Sequence, residues 1–125
     1  FVAWRDPKEN PFMTAAGRAA APFLPEAPPP HPGFAFADEQ YVKGVLLAAG
    51  WQDVVFERVD RLCAFPRAEL VGFLTKVGPV ALFLKDCEDT LRAQILEAML
   101  AAFEPYFEGD EVCFNAACWL VSARA

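Results

Sequence analysis

The chain has too few histidines and serines for the common nucleophilic active sites. Its one histidine is His31, in a proline-rich segment, and its one serine is Ser122, in a strand predicted to be buried. A Ser-His-Asp triad needs neighbouring structure that holds its members together, and neither segment offers it. No cysteine has a basic cluster nearby in the sequence, so a cysteine nucleophile is not indicated either.

The spacing motifs of metal and phosphate sites are also missing. No pair among Cys63, Cys87, Cys113 and Cys118 has CxxC spacing, which argues against zinc when only one histidine is present. Neither GxGxxG nor GxxxxGK[ST] occurs, so no loop of the kind that holds nucleotide phosphates is predicted. We expect no metal, and four reduced, mostly buried thiols in a cytoplasmic protein.

Charge and hydropathy exclude two further classes. The net charge is −6 and the 11 Lys and Arg residues are scattered, whereas a nucleic-acid binder needs a basic face. No apolar run approaches the roughly 20 residues that span a bilayer. The hydrophobic share of 55% exceeds the usual range of about 45–50%. Either some apolar surface meets a partner, or part of the fold lies outside this chain.

Three strands and three helices are predicted from hydrophobic periodicity and capping residues. Residues 1–4 form a buried strand, residues 54–59 a strand in which Val54, Val55 and Phe56 are buried, and residues 112–123 a strand covered on both faces in the interior of a sheet. The helices have the apolar stripes Tyr41, Val42, Val45, Leu46, Ala49; Leu70, Phe73, Leu74, Val77; and Leu91, Ile95, Met99, Ala102. Asp38 is the N-cap of the first helix and Gly50 ends it. Pro66 begins the second, and the third spans 89–103.

The remaining residues are predicted to form loops within a single partial domain, residues 1–125. Residues 14–37 are an Ala/Pro-rich crossover, in which the stretch PFLPEAPPPHPG should be extended because proline lacks the backbone donor. One or two short helical turns, broken at Gly17, precede that stretch. The residues EGD at 108–110 are predicted to form a turn.

One stretch after the first strand has the composition of a binding site. Ligands in open α/β sheets bind beyond the carboxyl ends of the strands, where Trp4, Arg5, Asn10, Phe12 and Met13 would lie. An Arg and an Asn among apolar groups suit a pocket with a few polar anchors. The alternative is that Trp4 is core, Arg5 a strand-end charge and Asn10 part of a turn.

Four stretches resemble the C-terminal half of bacterial class I S-adenosylmethionine-dependent methyltransferases that act on small molecules. They are FVAWRDPKENPFM, PGFAFADEQYVKGVLLAAGWQDVVFERVD, LTKVGPVALFL and NAACWLVSARA. The resemblance covers essentially the whole chain and implies an α/β fold, the C-terminal part of a Rossmann-like sheet. Its strands five, seven and six would be residues 1–5, 112–123 and 54–59, with strand seven antiparallel and in the middle.

The resemblance also implies what this chain contributes and lacks. The parent protein would transfer a methyl group from S-adenosylmethionine to a small-molecule acceptor, while the glycine-rich cofactor loop would lie outside these residues. The 125 residues alone would bind no cofactor and be inactive. The substrate-side residues would be Trp4, Arg5, Asn10, Phe12, Met13 and Phe36; the catalytic residues and the methyl acceptor stay open.

Two expectations about partners follow. The strand at residues 1–5 would keep an unpaired edge, and exposed edges recruit other strands, so we expect a homo-oligomer through that edge. We expect no nucleic-acid or membrane partner. The alternative function is a non-enzymatic module that binds a small ligand or a protein.

Overall fold

The computed structural model describes residues 1–125, except for the side chain of Pro79. It has a mixed α/β fold with five helices and a four-stranded antiparallel sheet among these residues. The elements in chain order are β1 (Val2–Trp4), α1 (Pro11–Ala20), α2 (Glu39–Ala48), β2 (Gln52–Pro66), α3 (Leu70–Lys76), α4 (Pro79–Asp86), α5 (Asp89–Ala102), β3 (Phe107–Glu108) and β4 (Glu111–Arg124).

The chain divides into two compact units. The first contains Phe1–Asn10, Pro32–Leu62 and Asn115–Ala125, and therefore holds β1, α2 and most of β2 and β4. The second contains Pro11–His31 and Cys63–Phe114, and holds α1, α3, α4, α5 and β3. Each unit is described by itself below.

The last strand lies in the middle of the sheet. The strand order is β1-β4-β2, and β1 pairs antiparallel with β4 in the register Val2↔Leu120, Ala3↔Trp119, Trp4↔Cys118. The prediction of an interior strand is therefore confirmed in position. Its predicted cover on both faces is only partly correct: Ala117 is fully buried, but Leu120 is 38% exposed and Ser122 is exposed.

The first strand forms as predicted, but its predicted burial is wrong. Only Ala3 is buried, whereas Phe1 is 55% and Val2 65% exposed. The reason is that β1 is an end strand, with one neighbour instead of two among the described residues. An apolar sequence shows that a strand can be buried, and the tertiary structure decides whether it is.

Local capping signals define α2. The Asp38 side chain accepts hydrogen bonds from the backbone N–H groups of Gln40 and Tyr41, and Gly50 adopts the left-handed φ of 90° just beyond the helix. Both predictions are confirmed. Of the predicted apolar stripe, only Val42 is buried, so the helix keeps most of its apolar side chains at least partly exposed.

The second strand is much longer than predicted. It runs over Gln52–Pro66 instead of 54–59, and Pro66 lies at its end, before the 3-10 turn Arg67–Glu69 that precedes α3. Val54 and Phe56 are half-buried and Val55 is 48% exposed, so their predicted burial is wrong. The cause is again position, because β2 is the other end strand.

A helical core fills the second unit. It is formed by fully or almost fully buried side chains from four helices and the flanking segments: Ala15, Ala20, Leu70, Leu74, Val80, Leu84, Ile95, Met99, Phe103 and Val112. The prediction of the helix at 89–103 is confirmed, since α5 spans Asp89–Ala102 with Ile95 and Met99 inside. In α3, Leu70 and Leu74 are buried as predicted, but Phe73 and Val77 are exposed.

Two local predictions between residues 14 and 37 are corrected, and one helix of the second unit is additional to those predicted. Helix α1 runs unbroken through Gly17, because burial of Phe12, Ala15 and Ala20 outweighs a glycine cost of about 1 kcal/mol. The crossover at 14–37 therefore begins within a helix, and Ala21–Phe23 forms a 3-10 turn, as does Pro32–Phe34 in the first unit. Residues 24–31 and 35–37 are the part of the crossover that lies outside helices and 3-10 turns. Helix α4 was not predicted.

The turn before the last strand forms as predicted, whereas the cysteines are less buried than predicted. Gly109 has φ 56° in the turn between β3 and β4, where a turn was predicted at 108–110. The described cysteines form no disulfide, and all four are half-buried rather than mostly buried.

Candidate functional site at the end of the first strand

A short capped turn follows β1 and returns the chain to the sheet. The Asp6 carboxylate accepts a 2.7 Å hydrogen bond from the Lys8 backbone N–H and so caps the 3-10 turn Pro7–Glu9. Proline at the first position of this turn suits its geometry. The turn closes with Asn10, whose backbone N–H donates to the carbonyl of Pro7 at 3.1 Å. The side chain of Asn10 is thereby directed back toward β4.

Arg5 is the central charge of this region and is only 3% exposed. Its Nη2 donates to Asp60 Oδ1 at 2.9 Å and to Glu9 Oε1 at 3.2 Å. Its Nη1 donates to the carbonyl of Cys118 at 3.1 Å. A buried guanidinium is tolerated when its donors are satisfied and its charge is compensated, and both conditions hold.

Two guanidiniums and two carboxylates make up the charge cluster, Arg5, Arg58, Glu9 and Asp60. Arg58 pairs with Glu9, and Asn115 Nδ2 donates to Asp60 Oδ1 at 3.0 Å. The hydrogen bond from Arg5, followed by that from Asn115, holds the pKa of the Asp60 carboxyl below its ordinary value. The hydrogen bond to Asp60 in turn raises the pKa of Arg5 despite desolvation. A carboxyl with a lowered pKa is ionised at neutral pH, so Asp60 is not suited to act as a general acid.

An aromatic ring lies beside the charge cluster. The guanidinium carbons of Arg5 and Arg58 lie 5.8 and 5.7 Å from the centre of the Trp119 ring, within cation–π range. Phe56 meets the same ring edge-on at 5.7 Å. The indole Nε1 donates to the carbonyl of Ala37 at 3.0 Å. These contacts fix the ring and leave it half-buried.

Asn10 extends the pairing of β4 beyond the end of β1. It is fully buried; its Nδ2 donates to the carbonyl of Ala117 at 2.9 Å, and its Oδ1 accepts from the Ala117 N–H at 2.8 Å. This two-bond exchange has the pattern of a hydrogen-bonded residue pair in an antiparallel ladder. The Asn10 side chain therefore takes the place of a strand residue, which gives it a structural role.

The six predicted substrate-side residues fall in both units. In the first unit, Arg5 and Asn10 lie together at the end of β1, Trp4 is half-buried in β1, and Phe36 is 49% exposed with its ring 6.0 Å from that of Phe1. The side-chain polar groups of Arg5 and Asn10 described above form hydrogen bonds within the protein. A substrate contact by either side chain stays a prediction.

The other two predicted residues belong to the second unit. Phe12 is buried and stacks on Phe114 with ring centres 3.9 Å apart, while Met13 is half-buried in α1. The stacking gives Phe12 a core role, and a substrate contact by either side chain stays a prediction.

The partners of Arg5 were missed because they are distant in the sequence. Asp60 follows Arg5 by 55 residues, and Cys118 follows it by 113. The available signal was general: an arginine that directly follows an apolar strand needs a carboxylate partner if it is buried. That rule identifies no particular partner among the 17 acidic residues.

The second unit contains an open groove of about 620 Å³. Arg67 lies over the Phe107 ring at 3.8 Å from its centre, and both residues line the groove. The rest of the lining is largely apolar and consists of Leu70, Ala93, Leu96, Glu97, Leu100, Ala101 and Glu104. Its volume lies within the range of small-molecule sites, about 300–1,000 Å³.

No protein-family model matches the sequence, and no curated protein is similar to it. No helix in the described part of the chain has both the length and the apolar character needed to cross a membrane. The described residues also include no cluster of three side chains that could hold a metal ion.

Proposed function

We propose that these residues form the C-terminal, substrate-side part of a class I S-adenosylmethionine-dependent methyltransferase that acts on a small molecule. The observation that carries the proposal is the strand order β1-β4-β2, with the last strand in the middle and antiparallel to β1. This is the order that the resemblance implies for strands five, seven and six. A simple meander would instead place the strands in chain order.

The distribution of apolar surface supports the same proposal. Phe1 and Val2 are more than half exposed at the end strand β1, and Tyr41 and Val45 are 57% and 47% exposed on α2. Monomeric proteins rarely leave large apolar patches uncovered. In the proposal, the rest of the sheet joins the edge of β1, and its helices cover these side chains.

The described residues do not fit the cofactor. The chain that follows β1 begins with Arg5, Asp6 and Pro7, and the chain that follows β2 with Arg67, so neither turn starts with the glycines that would let a backbone approach a nucleoside closely. We therefore assign S-adenosylmethionine to residues outside 1–125 and derive no chemical step from this chain.

The structure changes the roles that we propose for the predicted residues. Arg5 and Asn10 hold the loop after β1 in place through their internal hydrogen bonds. In the first unit Phe36 is exposed and Trp4 half-buried, and in the second unit, taken by itself, Met13 is half-buried. The loop is thus proposed to position the acceptor rather than to bind it through Arg5.

Calorimetry with S-adenosylmethionine tests the proposal. Residues 1–125 are compared with the complete protein that their gene encodes, and S-adenosylhomocysteine serves as the competing ligand. The complete protein should bind and transfer labelled methyl groups to a small acceptor, and residues 1–125 should not bind. Binding by residues 1–125, or no binding by the complete protein, would refute the assignment.

We also propose that the isolated 125 residues self-associate through the edge of β1. Val2 is 65% exposed there, and unpaired strand edges favour pairing with other strands. Val2→Lys places a charge on this edge and should reduce the association seen by light scattering. If the association of Val2→Lys matches that of the unchanged chain, this contact is refuted.

A small-ligand binding module is the second candidate function, and the groove of the second unit favours it. Leu96→Trp would fill part of the groove, whereas Leu82→Trp adds the same ring to α4 at a position that is 67% exposed and outside the groove lining. If the groove binds apolar ligands, only Leu96→Trp should reduce the fluorescence of bound anilinonaphthalene sulfonate. Equal effects of the two variants would count against the module.

A further inference from the structure

We propose that β2 pairs antiparallel with β2 of a second copy of the chain, about a two-fold axis through Val59. The two sheets would then join into one continuous sheet. This inference rests on the edge and the charges of β2, and it does not depend on the proposed methyltransferase function.

The outer edge of β2 is available for such pairing. The strand is 15 residues long and lies at one end of the order β1-β4-β2, so β4 is its only strand neighbour among the described residues. Leu62 on this strand is 79% exposed, the most of any large hydrophobic side chain in the described chain. A long edge with an exposed leucine is a surface that another strand can cover.

The charges of β2 are complementary to themselves when the strand is reversed. The residues from 56 to 62 read F-E-R-V-D-R-L. In an antiparallel pair centred on Val59, Glu57 faces Arg61 of the second copy, Arg58 faces Asp60, and Phe56 faces Leu62. Opposite charges directly across an antiparallel pair are favourable, and like charges are unfavourable. Each charged residue thus lies opposite a residue of the opposite sign. Arg58 and Asp60 are already paired with Glu9 and Arg5 within the charge cluster, so the charge pair that the interface adds is the one between Glu57 and Arg61. Leu62 lies opposite an aromatic ring.

Other registers lose this complementarity. An axis through Arg58 would place the two Arg58 side chains opposite each other, and an axis through Asp60 would do the same with two carboxylates. Parallel in-register pairing would place all four charged residues opposite their own kind. Charge therefore favours the register centred on Val59. This agrees with the rule that an isologous interface needs a surface that is complementary to itself.

The hydrogen-bond directions agree with this axis. A single atom, Arg5 Nη1, donates to the carbonyl of Cys118 in β4 at 3.1 Å and to that of Val59 at 3.4 Å. The Val59 carbonyl therefore points toward β4. Because successive residues of a strand direct their backbone groups to alternate sides, the N–H and C=O groups of Arg58 and Asp60 point outward. These two residues would exchange the hydrogen bonds across the interface, with Val59 as the non-hydrogen-bonded pair. The Arg61 guanidinium, which donates to the Asp60 carbonyl at 3.1 Å, would turn from that carbonyl to Glu57 of the second copy.

A cysteine at the axis provides the first test. Directly opposite Cα atoms of a non-hydrogen-bonded pair lie about 4.5 Å apart, which is within disulfide range. Val59→Cys should therefore form a disulfide with its own copy on mild oxidation, identified as a 59–59 link by peptide mapping. The control is Leu62→Cys, whose two copies would lie roughly 20 Å apart. Leu62→Cys linking as fast as Val59→Cys would overturn the register.

Charge exchange provides the second test, with the dimer dissociation constant measured by analytical ultracentrifugation. Glu57→Arg and Arg61→Glu each create two like-charge pairs and should each raise the dissociation constant roughly tenfold to a hundredfold. The double variant restores both pairs and should return the constant to within a few-fold of the unchanged chain. A monomer at every concentration would overturn the proposal. A dimer that is insensitive to these changes but lost in Val2→Lys would also overturn it, because the contact would then be at β1.

Discussion

Replacing Asn10 with alanine should destabilise the first unit more than any other single amide change in it. Asn10 is fully buried and exchanges two hydrogen bonds with Ala117, which is itself fully buried. The carbonyl of Ala117 would keep a partner, since it also accepts from the Arg5 backbone N–H at 3.0 Å. The Ala117 N–H would lose the partner that the Asn10 side chain provides.

The size of the effect follows from these two groups. A buried N–H left without a partner costs about 1–3 kcal/mol, and the lost second bond adds about 1 kcal/mol. The free energy of unfolding should therefore fall by about 2–4 kcal/mol. With an unfolding entropy of about 2.1 cal/mol/K per residue, this lowers the Tm of a chain of this length by roughly 8–15 °C.

Thermal and urea unfolding followed by circular dichroism would measure this change. Asn115→Ala is the matched control, because Asn115 is exposed and donates one hydrogen bond, to Asp60; its loss should cost less than about 1 kcal/mol. If Asn10→Ala has a Tm within about 3 °C of the unchanged chain, or if Asn115→Ala is equally destabilised, Asn10 does not replace a strand residue.

Two further predictions concern titratable groups. Arg5 lowers the pKa of Asp60, so the stability that Asp60 contributes is present above its unfolded pKa of about 3.9 and is lost as the pH falls through the lower folded pKa. The Tm difference between Asp60→Asn and the unchanged chain should therefore shrink from pH 7 to pH 2.5. A constant Tm difference would contradict this prediction. Burial and then the hydrogen bond to Glu108 raise the pKa of the Cys113 thiol, which reduces its thiolate fraction. Iodoacetamide should therefore modify Cys113 more slowly at pH 8 than a model thiol peptide, and Glu108→Gln should speed the reaction. Equal rates in Glu108→Gln and the unchanged chain would contradict the role of Glu108.

Elements with local signals could be predicted from the sequence. Helix α2 begins at a capping Asp38 and ends before Gly50, and α5 has a regular apolar stripe over four turns. Helix α4 could not be predicted in the same way. Its apolar run is short, and a Gly-Pro pair such as Gly78-Pro79 is typical of the end of one helix, whereas here Pro79 begins the next. A short apolar run does not distinguish helix from strand.

Burial and the candidate site depended on long-range contacts that the sequence does not specify. Val2 and Val55 are apolar and lie in strands, yet both are about half exposed or more because their strands are at the ends of the sheet. Arg5 and Asn10 were recognised as unusual polar residues near an apolar strand. Their internal role is set by Asp60 and Ala117, which the fold brings to them from β2 and β4.

The edges of the two end strands differ in the selectivity with which we propose that they pair. The edge of β1 is short and apolar, with Val2 exposed, and nothing in its side chains selects a register. The edge of β2 is long, and charged residues on an edge normally repel other strands. In the proposed pair, however, the two-fold axis through Val59 places Glu57 opposite Arg61 of the second copy. The charges that repel other strands are therefore favourable toward a second copy of the same strand. Selectivity at this edge therefore comes from the order of the charges rather than from their number.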